Sequence, residues 1–322
     1  MSDHTGIEWT DATWNPLRGC SRVSEGCRHC YAETVAHRFS KPGQPYDGLT
    51  NSHGAWNGNI MLVDKVLDQP LRWQKPRRIF VNSMSDLFHE KVPFEFIDKV
   101  FAVMALAPRH TFQILTTRPA RMLEYVSGMT GAEHVLNRVI RAGQAMKMPG
   151  GQHKPGGPTW PFANVWLGVS VENQAAHDER LPLLMRTPAE VRWISAEPLL
   201  GPINLGGIGR PQSRLERPGP RLDWVVVGGE SGAGARPMHP AWVRSLRDQC
   251  INAKVQFLFK QWGEWAPNCL CATERAHPDM PRPEPGPLGC MFRCGKKAAG
   301  REIDSRTWDE YPATVEAATP RR

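Results

Sequence analysis

Three cysteines fall within eleven residues of this chain: Cys20, Cys27 and Cys30, in the stretch CSRVSEGCRHCY. Their spacing is Cys-x6-Cys-x2-Cys. Two cysteines three apart on a turn can both bind one metal ion or one cluster. A structural zinc site wants a fourth ligand, which His29, His37 or a cysteine from the tail could supply. An iron–sulfur cluster can be held by three thiolates, with one iron left open. Having no obvious fourth ligand nearby favours the open cluster, with zinc and metal-free thiols as the alternatives. Four more cysteines, Cys269, Cys271, Cys290 and Cys294, lie in a Pro-rich tail and are candidates for a second zinc site or an auxiliary cluster. Cys250 falls on a helical pattern and reads as a buried thiol.

Other groups capable of chemistry stand at the ends of short β-branched or aromatic runs. These are Asn82, Ser83 and Asp86; Thr116, Thr117 and Arg118; Ser170, Glu172 and Asn173; Ser195 and Glu197; Gly228, Gly229, Glu230 and Ser231; Lys260 and Gln261. Carboxylates are costly to bury without a partner, so acidic groups at apolar strand ends point to function. Arg118 and Lys260 are the cations expected to meet a carboxylate or phosphate of a ligand, or else to pair with one of the strand-end glutamates. Gly228 and Gly229 would let a ligand approach the backbone, or would simply form a tight turn.

The elements that must position these groups follow one grammar. The runs RRIFVNSMSD, TFQILTTRP, NVWLGVSVEN, VRWISAEPLL, LDWVVVGGESG and VQFLFKQWG are apolar on consecutive positions, as strands buried on both faces are. Amphipathic helical patterns lie between them: PFEFIDKVFAVMALA, PARMLEYVSGM, QAAHDERLPLLMR and PAWVRSLRDQCINA. With IEWTDATWNPL this makes about seven βα units, compatible with a β/α barrel or a doubly wound sheet. Polar endings on nearly every strand favour a barrel, partial or nearly closed and TIM-like, because all strand ends there converge on one mouth. The expected organisation is a barrel over residues 1–264 and a Pro/Cys-rich extension over 265–322 packed on it. Residues 41–76 and 141–162, rich in Gly, Pro, His and Lys, read as loops.

The chain has 322 residues, 40% hydrophobic and 22% charged, as expected of an ordinary globular protein. No basic start followed by an apolar run marks a secretory signal, and no apolar run is long enough to cross a bilayer. A cytoplasmic location is expected, where clustered cysteines hold metal more often than they form disulfides. The net charge of +8 favours a polyanionic partner, with nucleic acid the usual one. A protein partner completing the site is also compatible with the sequence.

A three-cysteine loop after the first strand of a β/α barrel resembles the radical S-adenosylmethionine (SAM) superfamily, and GCRHCYAE is similar to its spore photoproduct lyase branch. VNSMSDLFHE, ILTTRPARM and ISAEPLLGPIN line up in the same order. Across most of the chain, TGIEWTDATWNP, WLGVSVEN, WISAEPLLGPI, VVGGESG, FKQWGEW and GKKAAGR resemble a phage-associated three-Cys-motif family. The resemblance implies a 4Fe–4S cluster on Cys20, Cys27 and Cys30 whose free iron chelates SAM, in an enzyme of DNA repair or modification. Ser83 and Asp86, and Gly228, Gly229 and Glu230 of the GGES motif, would then contact SAM. Ser170, Glu172, Glu197 and Lys260 would line the cofactor or substrate site. The alternative is a non-catalytic nucleic-acid-binding protein stabilised by zinc or an iron–sulfur cluster.

Overall fold

A computed structural model describes residues 5–128, 135–146, 160–206, 221–267 and 291–313. Seven strands form one sheet in sequence order, every neighbouring pair parallel. They are β1 (Ala12–Trp14), β2 (Arg78–Val81), β3 (Thr111–Thr116), β4 (Val165–Ser170), β5 (Val191–Ala196), β6 (Trp224–Gly228) and β7 (Gln256–Gln261). Helices occupy the crossovers: α1 (Tyr31–Arg38), α2 (Phe94–Leu106), α3 (Pro119–Ser127), α4 (Val135–Ala145), α5 (Gln174–Arg186) and α6 (Pro240–Ala253). No helix among the described residues is long and apolar enough to cross a membrane.

Side chains alternate along each strand, and both faces of the sheet are covered. Ile79, Val81, Phe112, Ile114, Leu167, Ile194, Val225 and Phe257 belong to the large core shared with the helices. Phe80, Trp166, Trp193, Trp224, Val226 and Leu258 form a second core with Trp9 on the opposite face. This double burial explains runs that are apolar at consecutive positions.

The second core also shows that the sheet curls. The Trp9 ring packs 4.7 Å from Phe80 on β2 and 6.2 Å from Trp224 on β6, centroid to centroid. In a flat sheet those strands would stand roughly 19 Å apart, four spacings of about 4.8 Å. One indole reaches both because the sheet is a half-barrel with Trp9 in its hollow. The tail helps to fill the open side. Residues 308–310 run along β7, and the Tyr311 ring stacks on Trp224 at 5.4 Å with the Arg78 guanidinium over it at 4.3 Å.

The hollow is tightly filled. Gly168 on β4 lies under Trp193, and a Cβ there would come within 2.4 Å of the indole. Gly168→Ala is therefore expected to cost about 1–3 kcal/mol through overpacking. Urea unfolding checks this; an unmoved midpoint would mean that the indole yields freely.

Two loop expectations need correction. The sequence reads as loop over 141–162, but α4 runs through Ala145 and packs on α2. Within 41–76, turns are interrupted by a short strand at Met61–Leu62 and a single helical turn at Gln69–Arg72. Residues 147–159 lie outside the described residues.

Candidate functional site at the mouth of the half-barrel

The cysteine loop lies across the C-terminal ends of the strands, and each attachment is a named contact. Gly19 bridges Ser85 beyond β2, and the Tyr31 hydroxyl donates to the Ser83 carbonyl at 2.8 Å. Beyond β3, Arg118 donates to the Ser21 carbonyl and hydroxyl at 3.2 and 2.7 Å. Beyond β4, the Glu172 carboxylate accepts from the Gly26 amide at 3.4 Å. Beyond β6, Arg236 donates to the Glu25 carboxylate and carbonyl at 3.1 and 3.2 Å. Four strand ends thus hold one loop, and that loop carries Cys20, Cys27 and Cys30.

Cys20, Cys27 and Cys30 are all partly buried, and none is in a disulfide. Burial, and then the Asp86 carboxylate, push the Cys20 thiol up to about 12, against the opposing pull of Arg118. Burial also raises Cys30 to about 11, although its position at the N-cap of α1 brings the Ala32 and Glu33 amides to bear in the opposite direction. Cys20 feels Cys30, and Cys30 feels Cys27, so the three sulfurs share one electrostatic neighbourhood. Among the described residues no three His, Cys, Asp or Glu side chains converge tightly enough to grip a single metal ion. Three free thiols on one loop at the strand ends, with Cys20 sensing Cys30 and Cys30 sensing Cys27, are the donor set a metal or cluster would use.

The carboxylates named from the sequence divide into two groups. Asp86 accepts five hydrogen bonds, from Phe88 N, Thr116 Oγ1, Thr117 N, Thr117 Oγ1 and Arg118 Nη1. It is the anchor of the β3 turn and has little left for a ligand. Glu172 is paired with the buried Arg180 at 3.0 Å, and Glu230 with Arg236 at 2.6 Å. All three organise the loops that hold the cysteines. Ser83 donates to Asn15 Oδ1, and Ser170 gives its carbonyl to Arg180.

Glu197 and Lys260 differ because they meet over the hollow. They lie at the ends of β5 and β7, with β6 between them, and pair at 3.0 Å. Gly228 of β6 makes this possible: a Cβ there would come within 2.5 Å of Glu197 Oε1. Trp9 Nε1 and Ser195 Oγ also donate to Glu197 Oε2, at 3.2 and 3.3 Å. Gly229 is required by the Trp262 carbonyl, 1.9 Å from a Cβ built there, so the chain itself accounts for both glycines of the GGES motif.

Two further features mark the mouth. Asn82, at the end of β2, is buried with φ +63°, and neither of its amide atoms has a partner. An orphaned buried amide is costly, and strained backbone of this kind gathers at binding sites. Tyr31 is 52% exposed, yet surrounding protein drives its hydroxyl pKa well upward.

The sequence reading missed Arg180, Arg236 and Tyr31. Arg236 stands six residues after Glu230, but nothing in that spacing foretells a bridge back to Glu25. Of the tail cysteines, Cys269, Cys271 and Cys290 lie outside the described residues, and Cys294 packs against the main core. In GKKAAGR, Lys296 pairs with Glu8 at 3.4 Å and Arg301 pairs with Asp309.

A family model described as "Protein of unknown function (DUF5131)" matches residues 4–312. The chain belongs to the DUF5131 family. No curated protein and no solved structure matches it. The match extends from the N-terminal segment carrying Trp9, through the cysteine loop, to Tyr311, so the DUF5131 unit includes both the half-barrel and the tail segment that packs on it.

Proposed function

We propose that this protein is a radical SAM-type iron–sulfur enzyme acting on nucleic acid or a nucleotide, with its cluster on Cys20, Cys27 and Cys30. The observation that carries the proposal is the suspension of the three-cysteine loop over the strand ends of a parallel half-barrel, by Ser83, Arg118, Glu172 and Arg236. When bound, a cluster with an open iron supplies single electrons to SAM.

The chain's own residues then have distinct tasks. Glu197 and Lys260 present an anion and a cation side by side at the mouth, placed to line the cofactor or substrate site. Ser195 and Ser170 lie at the same strand ends, within the mouth that would receive a ribose. Trp9, Trp193 and Trp224 close the floor and exclude water, as reactive chemistry requires. Asn82 offers a free donor and acceptor to a polar ligand. The charge of +8 supports a nucleic-acid substrate.

The test is anaerobic incubation of reconstituted protein with dithionite and SAM. Release of 5′-deoxyadenosine is expected; a fully loaded cluster that leaves SAM intact would contradict the enzymatic reading.

A further inference from the structure

The three thiols are not equivalent, and Arg118 makes the difference. Its Nη1 points at Cys20 Sγ at 3.9 Å while donating to Asp86 at 3.0 Å. Nη2 holds the next residue, Ser21, by both carbonyl and hydroxyl, and Nε reaches Glu90 at 3.0 Å. The side chain is 10% exposed. Asp86 is itself fixed by Thr116, Thr117 and Phe88, so the guanidinium has no freedom to swing away. Among the described residues, Cys27 meets the Ser24 hydroxyl at 4.0 Å and Cys30 sits at the start of α1; the Arg22 guanidinium, committed to Glu33, acts on both only through its charge, with no hydrogen bond to either sulfur.

We infer that Arg118 is a positioning residue that sets the reduction potential of the cluster through Cys20. The inference rests on the iron–sulfur reading above. Hydrogen bonds to ligand sulfurs and the net charge around a cluster are principal determinants of its potential. A cationic donor beside one sulfur stabilises the reduced, more negative state and moves the potential upward. Arg suits the task because one planar fork spans a sulfur, a carboxylate and a carbonyl, which a lysine ammonium cannot do. A purely structural arginine would hold the loop without moving the potential.

The experiment is an anaerobic redox titration, followed by electron paramagnetic resonance, on full-length wild type, R118K and R118Q reconstituted with iron and sulfide. R118Q is expected to titrate more negative by about 59 mV, a tenfold shift in a one-electron equilibrium. R118K, keeping the charge and losing the fork, shifts in the same direction by less. Wild-type loading with an unmoved R118Q midpoint overturns the inference and leaves the cluster intact. If R118Q does not load, R118K decides: a negative shift supports the assignment, and an unchanged midpoint overturns it. Wild type that takes up no iron or sulfide overturns both readings.

Discussion

Glu172→Ala is expected to destabilise the protein by about 3–5 kcal/mol, the usual consequence of removing one partner of a buried ion pair. The Glu172 and Arg180 side chains are 4% and 3% exposed and pair at 3.0 Å. Without Glu172, the Arg180 guanidinium would keep the Ser170 carbonyl but lose its countercharge. The cost exceeds that of a surface pair, whose typical worth is about 0–1 kcal/mol. Replacing both, as E172L/R180M, should recover most of the loss, because two matched apolar side chains leave no stranded charge. Chemical unfolding of the two single variants and the double variant provides the test. Equal instability of the double and the single variants would show that the pair is held for another reason. Glu172 also accepts from Gly26, so the single variant should loosen the cysteine loop as well.

The second large effect concerns the thiols. On the proposed reading, changing any one of Cys20, Cys27 or Cys30 to alanine is expected to lower iron and sulfide uptake at least tenfold, because each thiolate would bind a different iron. Cys250→Ala is the matched control. That thiol is fully buried on α6, with its pKa pushed far up by burial, so its loss should affect stability and leave loading unchanged. Loading that survives in Cys27→Ala, or fails in a folded Cys250→Ala, would remove the three-cysteine assignment. Thermal melts of each variant separate lost ligands from lost fold.

How much of this was legible in the sequence differs with the physics of each feature. The seven strands could be read because both faces are buried, which leaves uninterrupted apolar runs such as WVVVG at Trp224–Gly228. The partial barrel could be read from strands that end in polar groups, though not the degree of closure. The curl is revealed by Trp9, whose contacts with β2 and β6 span long stretches of chain and leave no local pattern. Helix α4 was missed because its neighbourhood is dominated by Gly, Pro and Lys, and its apolar face shows only against α2.

The site shows the same division. Polar residues at strand ends are visible in sequence, but their duties are not. Asp86, Glu172 and Glu230 read as ligand contacts until Arg118, Arg180 and Arg236 are seen to occupy them. Each of those arginines acts through a tertiary contact with the cysteine loop or a strand end. That Lys260 could pair with a strand-end glutamate is visible in the sequence, but which one is not: Glu197 lies two strands away, and the missing side chain at Gly228 is what lets them meet.

The central claim, that the mouth of this half-barrel holds an open iron–sulfur cluster on three thiolates, is tested most directly by iron, acid-labile sulfide and zinc counts on protein prepared without oxygen. Matching amounts of iron and sulfide, four of each per chain, are expected, with zinc near zero. Stoichiometric zinc without sulfide would contradict the claim.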